Sequence, residues 1–464
     1  MEGLFAGLQT GLSGLEASQA ALDVVGQNVA NASTPGYHRQ RAELAAAPPM
    51  PDVSESAQVG TGVNVTGIQR AVDHFLTNQS LTQSSNVGYW QTTTNAMSQV
   101  QAAFQEPSSS GLQAAMDQFW QAWSNLSNQP QDAGVRQEVL AQAQSLIGTF
   151  QSVSSQLTAA QSNLDNQVVA QVASVNDLAT QIASLNAQIE NAQVVGETPN
   201  DLIDQRGVLL TKLAAITSIR VQPLESGGDM VYIGGVPLVS DRTTHALTTV
   251  PSAQNPTLHT VQFASVSGPV DISGGSMGAE LTLRDQTIAG LLTQLNTLAD
   301  QLATAVNNQH AVGYGTDGTT TGLPFFILPS SPQQAASQLQ VNPTLIANPQ
   351  DIAAAAHPNS PGGGNNALAI SQINSTAIAS LGGTLDSYYR GMIGTLGVDA
   401  QTAQNMNQQA QLMNTTVQNQ IQSISGVSLN TQGVKLVMFQ HAYDASATVI
   451  QTINSMLSTL VNRL

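Results

Sequence analysis

The sequence predicts a mainly α-helical protein, a long helical bundle or coiled coil formed by the N- and C-terminal parts of the chain, with a small β-rich inserted domain. Three observations lead there. Apolar residues recur at helical spacing at both extreme ends. A long stretch from Asp132 to Asn191 is almost free of glycine and proline and rich in Ala, Gln, Leu and Val. Between Ser218 and Ser276 the pattern changes to short alternating runs bounded by Gly, Pro and Asp.

In chain order, Phe5, Leu8, Leu12, Leu15, Leu22 and Val29 follow one another by steps of three, four and seven, which fits a heptad seam. The first helix should stop near Ala32, where Asn28 and Asn31 are placed to cap it and Pro35-Gly36 turns the chain out of line. Gln40 to Arg70 is mixed, with Pro48, Pro49, Pro51, Gly60 and Gly62 as breakers and Val63, Val65 and Ile68 as a short strand. Helices are predicted over 73–104, 112–126, 132–191 (as one or two) and 200–217, the last with Asn200 as N-cap. After the β-rich stretch, helix returns from Ala279 to His310. Ala311 to Asn366 reads as loop, with LPFFIL its only strongly apolar run. Helix resumes to about Ser425, with a break around Gly391 to Gly397.

The final segment, from about Thr431, is the most regular. Ile450, Ile453, Leu457, Leu460 and Leu464 occupy heptad positions, and Val449, Met456 and Val461 widen the stripe. A lone helix buries almost none of such a stripe, so it should be poorly ordered until a partner covers it. The N-terminal seam has the same need, and the two ends are each other's obvious partners, within one subunit and between neighbours. The expected division is a terminal coiled-coil domain (1–60 and 430–464), a helical bundle domain (61–217 and 279–429, with the loop region 311–366) and a β-rich outer domain (218–278).

Composition narrows the function. The chain has 464 residues, only 9% of them charged and 4% aromatic. Its core is therefore built largely of Ala, Leu, Val and Ile, which suits thin helical layers. The formal charge of −17, with 12 scattered basic residues, argues against nucleic acid, which demands clustered Lys and Arg, and equally against anionic membrane surfaces. Cysteine is absent, which excludes disulfides, thiolate metal sites and cysteine nucleophiles. No membrane-spanning run is present, and the N-terminus does not read as a secretory signal. Gly274-Gly275-Ser276-Met277-Gly278 matches the nucleophile elbow of hydrolases, but the β-α units that would build its parallel sheet are missing. Gly313 to Gly318 matches G-x-G-x-x-G, yet follows a helix and precedes a Thr-rich loop, so it reads as a turn. The seven histidines show no metal-ligand spacing. Asp201, Asp204 and Arg206 read as a solvated or packing face. No catalytic residue and no cofactor is predicted.

The run Val29 to Tyr37 (VANASTPGY) after an amphipathic helix resembles the signature of bacterial flagellar axial proteins, shared by rod, hook and hook-associated subunits. Further segments are similar to the hook-associated protein 1 family: Asp201 to Arg206 (DLIDQR), Gly278 to Gln286 running on to His310, Gly363 to Gln372, Ser425 to Asn430 (SGVSLN), and Phe439 to Thr452. They span nearly the whole chain in order. Three departures stand out. Thr431-Gln432-Gly433 lies where the family usually has acidic residues, His38 replaces the commoner small hydroxyl residue, and Leu323 to Ala356 is short where larger members carry an extra outer domain.

The resemblance implies a non-enzymatic structural subunit joining hook to filament, extracellular after a transient cytoplasmic stage. It implies export unfolded by the flagellar type III apparatus, with a cytoplasmic chaperone on the C-terminal helix. It also implies assembly with copies of itself, hook protein and the second hook-associated junction protein. The terminal helices would form the inner tube and the β-rich insert would project outward. The residues so implicated are Phe5, Leu8, Leu12, Leu15, Leu22, Asn28, Asn31, Pro35, Gly36 and Tyr37, with Val449, Ile450, Ile453, Met456, Leu457, Leu460, Val461 and Leu464. The alternatives are another axial protein, hook protein or flagellin, or a secreted serine hydrolase using Ser276.

Overall fold

The computed structural model describes residues 2–51 and 58–462; Leu464 lies outside them. The first helix, α1 (Glu2–Ala30), leads into an antiparallel hairpin of β1 (Gln40–Ala46) and β4 (Val63–Arg70), with the short pair β2 (Met50–Pro51) and β3 (Gln58–Val59) between them. A bulge between Glu43 and Leu44 shifts the β1–β4 register. A division at residue 60 would cut through this hairpin, separating β1 from the strand it pairs with.

Four helices follow: α2 (His74–Phe104), α3 (Leu112–Asn128), the 62-residue α4 (Ala133–Val194) and α5 (Asn200–Ile216). Asp73 and Asp132 cap α2 and α4 by accepting backbone N–H bonds in the first turn. Asn200 is not the cap of α5. It is the first helical residue, and its buried side chain donates to the Ile68 carbonyl at 2.8 Å.

The insert comprises β5 (Arg220–Pro223), β6 (Asp229–Ile233), β7 (Val236–Ser240), β8 (Thr243–Thr244), β9 (Leu247–Pro251) and β10 (His259–Phe263). The first four form an antiparallel sheet in chain order, and β9–β10 a separate hairpin. β6 alternates buried and half-buried side chains, as a strand with one covered face must. Val231, Ile233, Leu238, Val239, Val261 and Phe263 pack on Val168 to Ala183 of α4 and on Leu210, Leu213 and Ala214 of α5. The insert therefore shares its core with two helices of the body.

Beyond it, α6 (Gly275–Thr282) runs through one π-helical turn (Leu283–Ile288) into α7 (Ala289–Ala311). The segment read as loop is in fact a packed cap on the bundle. It carries β11 (Phe326–Ile327), α8 (Ala335–Gln338), β12 (Gln340–Val341), α9 (Pro343–Ala347) and α10 (Asn365–Ser371). Phe325 and Phe326 are fully buried against Phe119 and Trp123, and Arg136 ties the cap down by donating to the carbonyls of Pro349, Gln350 and Ile352. Short loops carry no periodicity, which is why a sequence pattern misses such a cap.

The chain closes with α11 (Leu385–Ser425) and α12 (Leu429–Val461). The expected break at Gly391 to Gly397 is absent, and α11 passes through Gly391, Gly394 and Gly397 unbroken. Its buried apolar residues, Leu385, Tyr389, Met392, Leu396, Ala403, Ala410 and Val417, keep a heptad repeat along the helix, much of it against α2. That continuous seam outweighs the roughly 1 kcal/mol per glycine lost in helix propensity. The fold is mainly α with a small β-rich insert.

Candidate assembly site at the paired chain ends

Helices α1 and α12 pack antiparallel along their length. The seam is built from small residues, not from the leucines. A Cβ added to Gly7 would stand 3.0 Å from Ile453 Cδ1, one on Gly11 2.9 Å from Ile450 Cγ1, and one on Gly14 2.8 Å from Ser446 Oγ. Glycine lets the two backbones approach and lets the isoleucines sink into the gaps. Farther on, Ala17, Ser18, Ala21 and Val25 of α1 are buried.

At the base of the pair, Asn28 is 1% exposed and holds four partners. Its Nδ2 donates to the Gln40 carbonyl at 2.8 Å and, more weakly, to Gln432 Oε1 at 3.4 Å. Its Oδ1 accepts from the Gln40 N–H at 2.8 Å and from the Tyr37 hydroxyl at 3.0 Å. The amide thus satisfies both backbone groups of Gln40, the first residue of β1, much as a neighbouring strand would. Asn28 is not the helix cap that the sequence suggested. Asn31 closes the helix instead, its Nδ2 donating to the Gln27 carbonyl at 3.1 Å. Gln432, which stands where acidic residues were expected, makes this junction neutral.

The turn after α1 docks on α5. Gly36 has φ +78°, and a Cβ there would lie 2.3 Å from Val208 Cγ2, so both conformation and space require glycine. Pro35 is exposed beside it. Tyr37 is pushed up to about 12, first by burial and then by the carboxylates of Asp201 and Asp204, so its hydroxyl stays a donor. Asp204 accepts from His38 N–H at 2.9 Å, His38 Nδ1 at 2.7 Å and Arg70 Nη1 at 2.6 Å. Asp201 accepts from Gln27 Nε2 at 3.1 Å and Gln40 Nε2 at 2.9 Å. The Asp201–Arg206 helix, read from sequence as a solvated or packing face, is the seat of the terminal pair. Gln40 was missed, and Asp204 and Gln432 were noticed only as part of a charge cluster and of a departure from the family pattern, because no local pattern shows partners that lie over a hundred positions away.

The predicted heptad positions divide into two faces. Leu8, Leu15 and Leu22 of α1 and Ile450, Ile453 and Leu457 of α12 are half-buried, with Ile450 and Ile453 against the α1 glycines. Phe5 and Leu12 are 58% and 49% exposed, Val29 is exposed, and Val449, Met456, Leu460 and Val461 of α12 are exposed as well. Val434, Val437 and Met438 extend that outer face. Along all 33 residues of α12 only Gln432 is fully buried. The pair therefore presents apolar side chains that nothing in the single chain covers.

The competing motifs lead elsewhere. A Cβ on Gly275 would lie 2.3 Å from the backbone of Ile216, so G-G-S-M-G is a close-packed crossing of α6 over the end of α5. Strand pairs among the described residues are all antiparallel, and no histidine hydrogen-bonds to Ser276 there. Gly315 and Gly318 sit in a turn around Asp317, which accepts from Thr319 and Thr320. No described helix is long and apolar enough to cross a membrane.

Comparison with known proteins agrees with this geometry. The family model of the flagellar hook-associated protein FlgK helical domain matches residues 97–326. That of the flagella basal body rod protein matches 8–38, and that of the flagellar basal body rod FlgEFG protein C-terminal matches 418–464. Flagellar hook-associated protein 1 of Bacillus subtilis is 31% identical over 100% of this chain and 99% of its own length. The chain belongs to the flagellar hook-associated protein 1 family. The Salmonella typhimurium and Escherichia coli members are 33% and 32% identical, each over 69% of this chain, which spans 59% and 60% of their lengths. The flagellar hook junction protein FlgK from Burkholderia pseudomallei shares the fold, with TM-score 0.67 at 18% identity, covering 75% of this chain and all of that one. As a hook-associated protein 1 family member, the chain is a structural component of the flagellum and associates with hook and other flagellar parts. The rod-protein matches fall on the two segments that form the α1–α12 pair and its turn.

Proposed function

We propose that this chain is a junction subunit between hook and filament, and that it assembles through the uncovered face of its α1–α12 pair. The observation that carries the reading is the row of exposed apolar side chains on that pair, Phe5 and Leu12 on one helix and Val434, Met438, Val449, Met456 and Leu460 on the other. In an assembled layer these meet the same pair of neighbouring copies, as a repeating heterologous contact. The terminal pair α1–α12 forms the inner tube, the helical bundle surrounds it, and the insert (218–278) faces outward. Hook protein lies on one side and the second hook-associated junction protein on the other.

Before assembly the same face needs cover. A cytoplasmic chaperone on the C-terminal helix, and passage as an unfolded chain through the type III export apparatus, meet that need. The absence of cysteine suits such a passage. Deleting the gene in its own host tests the reading. Electron microscopy should show hooks without filaments and unpolymerised flagellin in the medium, both reversed by the intact gene. Filaments still attached to the hooks of the deletion strain would refute it.

A further inference from the structure

Helix α5 serves two modules at once. On its terminal side, Asn200, Asp201 and Asp204 hold Ile68, Gln27, Gln40, His38 and Arg70, so that α1, the turn after it and the β1–β4 hairpin are all bonded to one helix start. Two residues beyond Asp204, Arg206 reaches into the insert. Its Nε pairs with Asp229 Oδ2 at 2.9 Å, and its Nη1 donates to Asn186 Oδ1 at 2.8 Å and to the Gly227 carbonyl at 2.9 Å. Asp204 and Arg206 are each 6% exposed. Burial acts most strongly on the pair, lowering Arg206 and raising Asp229, and the nearby Arg70 charge adds a smaller effect that opposes Arg206 and favours the Asp229 carboxylate, so the two sides feel each other.

Close packing of the terminal module on this face is limited to the approach of Gly36 to Val208. Beneath the turn lies an open crevice of about 620 Å³ between Pro35 and Tyr37 on one wall and Leu185, Val208 and Leu209 on the other. Charge-assisted hydrogen bonds, which are short and directional, span the joint instead.

We propose that α5 is a strut fixing the terminal helix pair and the β-rich insert in one mutual orientation, with Asp204 and Arg206 as positioning residues on its two sides. A change in how the insert is seated is then read at the terminal pair, because both are referred to the same two turns of helix. This concerns orientation within one chain and holds whichever neighbours the chain ends meet.

The full-length chain has no cysteine, so spin labels can be placed without background. Gln440→Cys on α12 with Ser145→Cys on α4 reports the terminal-to-body distance, and Ser265→Cys with Ser145→Cys reports the insert-to-body distance. All three positions are exposed. Each pair should give a single narrow distance in the otherwise native chain. Asp204→Asn should abolish the narrow terminal-to-body peak while helix content and the thermal midpoint hold. Arg206→Met with Asp229→Leu removes the buried ion pair without leaving a lone charge, and it should broaden the terminal-to-body distance as well as the insert distance. A terminal-to-body distance untouched by Asp204→Asn overturns the proposal. So does a double variant that moves only the insert. If Asp204→Asn does not fold, His38→Ala with Arg70→Gln strips the same carboxylate from the other side and is judged by the same criterion.

Discussion

Asn28→Ala removes a buried amide at the point where the terminal pair meets the first strand. Four hydrogen bonds go with it, but they are not equal. The Tyr37 hydroxyl is half-buried and reaches water, and the Gln432 contact at 3.4 Å is long. The two that count are the N–H and C=O of Gln40, which is 8% exposed and finds no other partner for them. Each buried group left unpaired costs about 1–3 kcal/mol, and partial wetting of the cavity brings the expected total to about 2–4 kcal/mol. That corresponds to a roughly 30- to 700-fold larger opening constant for the terminal pair at 1.4 kcal/mol per decade. Hydrogen exchange resolves it, because α1 and α12 amides should lose protection by this factor while α3 and the first half of α4, which carry the bundle core, keep theirs. A change under about threefold at α1 and α12, or equal loosening of the bundle core, would refute the reasoning about this node.

Three further outcomes follow from the same structure. Glu280 is 2% exposed, and burial pushes its carboxyl up to about 8 from 4.5. The folded state then keeps a proton that the unfolded chain releases, so stability falls as pH rises from 4.5 through 8. Glu280→Gln should flatten that slope, a difference of roughly 5 kcal/mol at full extent, read from denaturant midpoints at pH 5 and pH 9. His310 is held neutral and lowered to about 4 by burial, between the Leu323 carbonyl and the Ala353 N–H. Its contribution is complete above pH 6.5 and is lost as pH falls to 4, about 3 kcal/mol, and an NMR titration should find its ring uncharged down to that pH. Gly36→Ala places a Cβ against Val208 at positive φ and should cost about 2 kcal/mol or more of terminal-pair stability by hydrogen exchange, with part of the loss recovered by adding Val208→Ala.

Much of the architecture is legible in the sequence because it rests on periodicity. The Gly- and Pro-poor run became α4, the alternating runs became the insert, and the heptad of α11 is complete once its alanines are counted. Large apolar residues, however, overstate the first helix's contact face. Gly7, Gly11 and Gly14 carry no hydrophobic signal, yet they form the intramolecular seam, and so Phe5 and Leu12 are left facing outward. The same limit hides Asp204 and Arg206, whose short spacing reads as a local charge cluster until their partners at His38, Arg70 and Asp229 are brought in by the fold. The resemblance to flagellar axial proteins reached the family from short motifs. The structure adds what those motifs hold: Asn28 serves the strand, Gly36 the approach to Val208, and the DLIDQR helix seats the whole terminal pair.

The central claim is that the outer face of α1–α12 joins copies of this chain at the end of the hook. Met438→Asp with Met456→Asp tests it most directly, because both side chains are exposed and neither is among the α12 residues that meet the α1 glycines, Ser446, Val449, Ile450 and Ile453. With Ser455→Asp as a control at a neighbouring exposed position, electron microscopy of cells carrying each variant should find bare hooks and free flagellin only for the double substitution, although the purified protein keeps its helix content. Normal filaments on cells with the double substitution would contradict the account.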